Sequence, residues 1–197
     1  GRELRPDYEI QTAQTAVSSS ISELLNSRNL TPRQRRSLRN LESAREGREG
    51  LGRLAEILPS NEDYEEPVTF QSNGYQMWSN RRQQMQGALL VFKSGLGAAA
   101  DVSLGGFDTH DAHDPLHDWL FAELSESIHY FWNYADELGI ADRITLVIGS
   151  DFGRTNYYND GMGKDHWNIG SYIVMSNDNR WGNRVVGATD ELHFAKT

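Results

Sequence analysis

The sequence predicts an α/β domain with a mostly parallel sheet, preceded by a helical segment. Three observations lead there. Residues 8–58 carry apolar side chains at helical spacing, Ala98 to Leu104 and Ile144 to Ile148 read as strands, and a long amphipathic stretch lies between those two runs. Strand, helix, strand within about 50 residues is a βαβ unit, which joins parallel strands with a right-handed crossover.

Taken in order, Ile10, Ala13, Val17, Ile21, Leu24 and Leu25 share one face of a helix over 8–26. Thr31 reads as an N-cap, with Pro32 at the first helical position. Leu38, Leu41, Leu51, Leu54 and Leu58 mark one or two further helices, weakened by Gly47, Gly50 and Gly52. Eight arginines between Arg28 and Arg53 are interrupted by Glu42, Glu46 and Glu49 and have no aromatic among them, which reads as the solvated face of a helical hairpin. The acidic, proline-ended stretch 59–67 suggests a boundary, giving a helical lobe over 1–66 and the α/β part over 67–197. Residues 75–94 read as another helix, with Met77 and Met85 as packing atoms. Asp114 is expected to cap the next helix, with Pro115 at its first position and Gly139 at its end. Its apolar stripe is Leu120, Leu124, Ile128, Phe131, Ala135 and Leu138. The β-branched run Ile144 to Ile148 predicts a strand covered on both faces, and Tyr172 to Met175 a further strand.

With 197 residues the chain can bury a real core; its 38 % hydrophobic content is somewhat low for a globular domain, but 20 aromatic residues argue against a disordered polymer. The absence of cysteine excludes disulfides and thiolate metal sites. No apolar run approaches membrane-spanning length. Residues 101–197 hold 16 acidic and 6 basic side chains, a balance that disfavours nucleic-acid backbones and suits either a solvated acidic surface, which composition alone favours, or a region that holds cations.

The chemistry-bearing residues lie in three polar loops. In GGFDTHDAHD, Asp108 follows the expected strand at once, and His110 and His113 follow it within five residues. Carboxylate with imidazole suits zinc, manganese or iron better than calcium, which prefers oxygen ligands alone; the alternative is a solvated loop in which Asp114 only caps a helix. His117 is close enough in sequence to support a ligand, and His129 reads as an ordinary surface or packing histidine. In SDFGRT, Asp151 sits at the carboxyl end of the second strand, the edge where open α/β sheets carry their sites. Arg154 is placed to clamp an anionic oxygen, or else pairs with a surface acid. In NDGMGKDHW, a glycine-bearing loop can return His166 to the sheet edge, with Asp165 either ligating or orienting an imidazole through its other nitrogen. Thr109, Ser150 and Thr155 are near, but no nucleophilic triad can be read, and there is neither a Walker loop nor a dinucleotide fingerprint.

Taken together, GGFDTH, TLVIGSDFGRT, GKDHW and RVVGATDE resemble the C-terminal part of the DUF1501 family, a group of usually secreted bacterial proteins related to sulfatases and alkaline phosphatases. The match is good over roughly 85–192 and weaker before it. The resemblance implies an alkaline-phosphatase-like α/β/α sandwich of which this chain would be the C-terminal portion, the remainder of the same polypeptide being its partner. It also implies a periplasmic or secreted location and hydrolysis of phosphate or sulfate esters, including sulfated or phosphorylated glycans, with one or two divalent ions (zinc, manganese or calcium). Carried over residue by residue, Asp108 and His110 match the first acid–histidine pair, with His113 a substitute. Asp151 matches the acid of the second metal position and His166 the late histidine, while Asp165 stands as a further candidate ligand. Arg154 and Asp151 would be the catalytic side chains. Phe152 departs from the wider superfamily, which places a histidine there, and the segment that would supply the superfamily's nucleophile is not found.

Two classes of function therefore follow. One is a metal-dependent ester hydrolase. The other is a non-catalytic binding or assembly protein on a degenerate hydrolase scaffold, favoured by Phe152, the missing nucleophile and the aromatics Tyr157, Tyr158, Trp167 and Trp181.

Overall fold

A computed structural model describes residues 7–27, 29–72, 75–177, 180 and 182–196; Arg28 and Trp181, and the side chains of Ile10 and Met77, lie outside the described set. Helices dominate. In chain order the elements are α1 (Asp7–Asn26), α2 (Pro32–Ile57), β1 (Val68–Ser72), β2 (Tyr75–Ser79), α3 (Arg81–Ser94), α4 (His113–Glu137), a 3₁₀ turn (Ala141–Arg143), β3 (Thr145–Ile148), β4 (Gly153–Arg154), β5 (His166–Trp167) and β6 (Ile173–Ser176). Among the described residues, no helix is long and apolar enough to cross a membrane.

The chain divides into two units, Gly1–Leu58 with Ser94–Leu96, and Pro59–Lys93 with Gly97–Thr197. The first is the α1–α2 hairpin. Thr31 caps α2 as expected, in a capping box: its side chain accepts from the Gln34 N–H, and the Gln34 side chain accepts from the Thr31 N–H. The helix then runs unbroken to Ile57 through all three glycines. Gly50 is buried because Leu96 packs where a Cβ would stand. Not all the arginines face water: Arg35 donates to the Leu25 and Ser27 carbonyls and closes the hairpin.

The second unit has its core where α3 meets α4. Met85 and Leu89 pack with Phe131, Ala135, Ile140 and Ala141, and Leu146 of β3 lies against them. Burying Leu89 and its neighbours supplies about 1.5–3 kcal/mol per large side chain. Of the expected α4 stripe, Leu120, Phe131 and Ala135 are buried and Leu124, Ile128 and Leu138 half-buried, with Trp119, Glu123 and Ser127 buried beside them, and Gly139 ends the helix at φ 64°.

The expected parallel α/β/α sandwich is not present. Among the described residues each sheet has two antiparallel strands: β1 with β2, β3 with β6, and β4 with β5. Ala98 to Leu104 forms no strand. Its three alanines and single β-branched residue give weak strand preference, and among the described residues no strand pairs with it. Without that strand there is no βαβ unit. β3 instead takes β6 as its partner, Leu146 opposite Met175, and alternates between exposed and half-buried positions, with Val147 58 % exposed. A run covered on both faces was the wrong reading of its β-branched composition. Residues 75–79, expected as helix, form β2 of a hairpin. At α4 the helix begins at His113, capped by Ala112 in the left-handed region (φ 45°) with no side-chain cap. Asp114 lies in the first turn, and its carboxylate accepts from the Tyr158 hydroxyl at 2.7 Å.

Candidate metal centre

Local sequence sends alternate side chains of 107–110 in different directions. Phe107 packs edge-on against the His117 ring (5.2 Å) and Phe121 (5.6 Å). Thr109 is buried, and its hydroxyl is 2.7 Å from His113 Nδ1. Asp108 and His110, between and after them, are left facing solvent.

A second segment comes to meet them. β4 and β5 pair with Arg154 opposite His166. Directly opposed residues of an antiparallel pair point to the same face. Gly153 is required in β4 because a Cβ there would overlap the Ile169 carbonyl. Beyond β4, Asn159 folds the loop. Its Oδ1 accepts from the Gly161 and Gly163 N–H groups, and its Nδ2 donates to the His110 carbonyl (2.9 Å) and to Asp165 Oδ1 (3.1 Å). The two segments are laced by backbone bonds from Ala112 to Gly161, His113 to Met162 and Lys164 to Thr109.

Asp108, His110 and His166 thereby converge. His110 Nε2 lies 3.1 Å from Asp108 Oδ1 and 3.2 Å from His166 Nε2, and His166 Nε2 lies 3.4 Å from Asp108 Oδ1. Among the described residues these three form the one group of acids and histidines close enough to share a metal ion. The other nitrogen of His110, Nδ1, is 2.8 Å from Asp165 Oδ1, which orients the imidazole so that Nε2 faces the group. Arg154 donates to Asp108 Oδ1 at 2.7 Å and to the Lys164 carbonyl at 3.1 Å. The Phe152 ring lies 4.2 Å from that of His166 and 5.5 Å from the Arg154 guanidinium carbon.

The charges follow this geometry. The Arg154 hydrogen bond, and after it that of His166, holds the Asp108 carboxyl below its ordinary range. His110, and then Asn159, does the same for Asp165. Both acids are ionised at neutral pH and able to attract a cation. His113 and His117 are a different pair. Their rings are 3.8 Å apart, and burial above all else lowers the basicity of each.

Not every expected residue joins the cluster. Asp151 stays exposed and outside it. His113 turns to Thr109 and His117, Thr155 is buried with its hydroxyl on the Tyr157 carbonyl, and Ser150 donates to the Phe152 carbonyl. Lys164 Nζ lies 4.8 Å from the centre of the Tyr158 ring. Trp167 donates to the His193 carbonyl, and His129 pairs with Asn133. Asn159 and the packing role of Phe152 were not read from sequence, though an Asn-Asp-Gly stretch is a turn signal that points to the first.

The model of one protein family, described as a protein of unknown function (DUF1501), matches residues 3–197. The chain belongs to the DUF1501 family. The match takes in both segments that build the Asp108, His110 and His166 cluster of this DUF1501 protein. No curated protein and no solved structure matches it.

Proposed function

We propose that this DUF1501 protein is a metal-dependent hydrolase of phosphate or sulfate esters. The observation that carries the reading is the triangle of Asp108 Oδ1, His110 Nε2 and His166 Nε2, with sides of 3.1, 3.2 and 3.4 Å. Ligands about 2.0–2.1 Å from a tetrahedral ion stand about 3.3 Å apart, so the three donors are spaced as one small ion requires. Two imidazoles and one carboxylate suit zinc or manganese and disfavour calcium, which takes oxygen ligands. A divalent ion there would supply a Lewis acid for an ester oxygen and acidify water. Asp165 aims His110, Phe152 fixes the plane of His166, and Arg154 offsets the Asp108 charge next to the place where an anionic ester would approach. The ester class rests on the relation to sulfatases and alkaline phosphatases that the DUF1501-like motifs imply, and a sulfated or phosphorylated glycan in a periplasmic or secreted setting fits it.

Metal loading followed by elemental analysis, with turnover of aryl phosphate and aryl sulfate, tests the proposal. One ion per chain and hydrolysis of either ester, both lost in His166→Ala, support it; a chain that binds no zinc or manganese refutes it. The alternative, a binding protein on a degenerate scaffold, is favoured by Arg154 being engaged with Asp108 and by the Thr109 hydroxyl turning to His113. Bound metal with no turnover of either ester would select that alternative.

A further inference from the structure

The second unit holds another concave site, on the α3–α4 face under the connector that precedes β1. It is a pocket of about 470 Å³, lined by Pro59, Asp63 and Glu65 from the connector, by α3, and by the Tyr130 and Tyr134 face of α4. The two tyrosines, one helical turn apart, stack with ring centres 5.7 Å apart and planes 14° from parallel. The roof is tied down by a buried amide. Gln86, 2 % exposed, donates to the Asp63 carbonyl at 3.1 Å and accepts from the Glu65 N–H at 3.0 Å. Such a fully bonded buried side chain holds the connector in place.

The charges in this pocket do not balance. Asp63, Glu65, Glu126 and Glu137 line it with a single arginine, Arg82. Arg82 is paired with Glu126 at 2.9 Å and already lies 5.9 Å from the centre of the Tyr130 ring. Among the described residues, Glu65 and Glu137 have no ion-pair partner. Burial first, and the negative charge of Glu65 and Glu137 with it, pushes both phenols upward, so the rings stay neutral. The Tyr130 hydroxyl is shut off from solvent, and the Glu65 carboxylate is close enough to act on it.

Stacked aromatic faces beside unpaired carboxylates repel anions and attract cations that carry hydrocarbon. We propose that this pocket binds an organic cation, an alkylammonium or guanidinium group, seated on Tyr130 and Tyr134 with Glu65 and Glu137 as its counter-charges. The volume falls within the range of about 300–1,000 Å³ usual for small-ligand sites, ample for a polyamine or for one arginine or lysine side chain. An anionic ester is excluded by the same charges, so the site is separate in chemistry from the Asp108 cluster.

Titration calorimetry of the full chain with spermidine, with arginine amide and with a short arginine-lysine peptide tests it. Saturable binding is expected, weakened about tenfold or more in Glu65→Gln/Glu137→Gln and in Tyr134→Leu. His166→Ala, which touches only the other site, should leave it unchanged. Binding of the free amines assigns a small-molecule ligand, and binding of the peptide alone assigns a side chain of a protein partner; either supports the proposal. No saturable binding of any of the three refutes it. So does binding that survives the double glutamate variant, with circular dichroism confirming that the variant is folded.

Discussion

Gly163→Ala is the sharpest test of how the two segments of the cluster are held together. A Cβ at this position would overlap the His110 carbonyl, a backbone group that cannot rotate away. The loop must then either strain or leave. Strain of this kind costs about 1–3 kcal/mol. Leaving breaks the bonds Ala112 to Gly161, His113 to Met162, Lys164 to Thr109 and Asn159 to His110. At about 1 kcal/mol net for each, that loss is about 4 kcal/mol. The cheaper response sets the cost, and a penalty of about 1–3 kcal/mol lowers the melting temperature of a domain this size by roughly 2–12 °C. Gly87→Ala is the control, since Gly87 sits inside α3 with open space where its Cβ would be. That change should raise stability by about 0.5–1 kcal/mol. Thermal unfolding followed by near-ultraviolet circular dichroism reads both, with zinc titration alongside. A Gly163→Ala protein that melts with the parent and binds metal equally well would show that the lacing does not hold the cluster.

Three further outcomes are expected. Asp165→Asn should weaken zinc or manganese about 10–100-fold in competition with a chromophoric chelator, because the charged partner that aims His110 is lost. Stability should fall as pH drops below 6.5: His113 and His117 bind protons less readily in the fold than at their ordinary 6.5, so the unfolded chain takes up protons first. His117→Leu should flatten that dependence in melting curves taken across this range. Leu89→Ala, a cavity in the α3–α4 core, should cost about 2–5 kcal/mol in urea denaturation.

The features legible in the sequence were those written locally. The capping box at Thr31, the α4 stripe and its Gly139 end, and the positions of β3 and β6 all rest on neighbours within a few residues. What failed depends on distant contacts. Nothing in Ile144 to Ile148 states whether its partner is Ala98 to Leu104 or Ile173 to Ser176, and the strand–helix–strand order favoured the wrong one. The apolar spacing of 75–94 read as helical throughout, though 75–79 pair with β1 as a strand. The start of α4 was misplaced because Ala112 is held at positive φ by bonds from a loop some 50 residues away, and no local signal announces that. In the candidate site, the glycine-rich loops flagged Asp108, His110 and His166, which the fold brings together. Asp151 was included on the strength of a shared sheet edge, and that edge does not exist. Arg154 stood out as a cation near acids, but only the folded chain shows that Asp108 is its partner.

Phe152 has a consequence of its own. With a phenyl ring along one side of His166 and beneath Arg154, neither polar group can swing freely unless the aromatic moves as well. The conformational entropy of those two donors is surrendered when the chain folds, and is not charged again when something arrives to meet them. A histidine in its place would add a polar nitrogen beside the cluster where the phenyl ring offers only an apolar face. The arrangement favours a few donors aimed in advance over a larger, looser set.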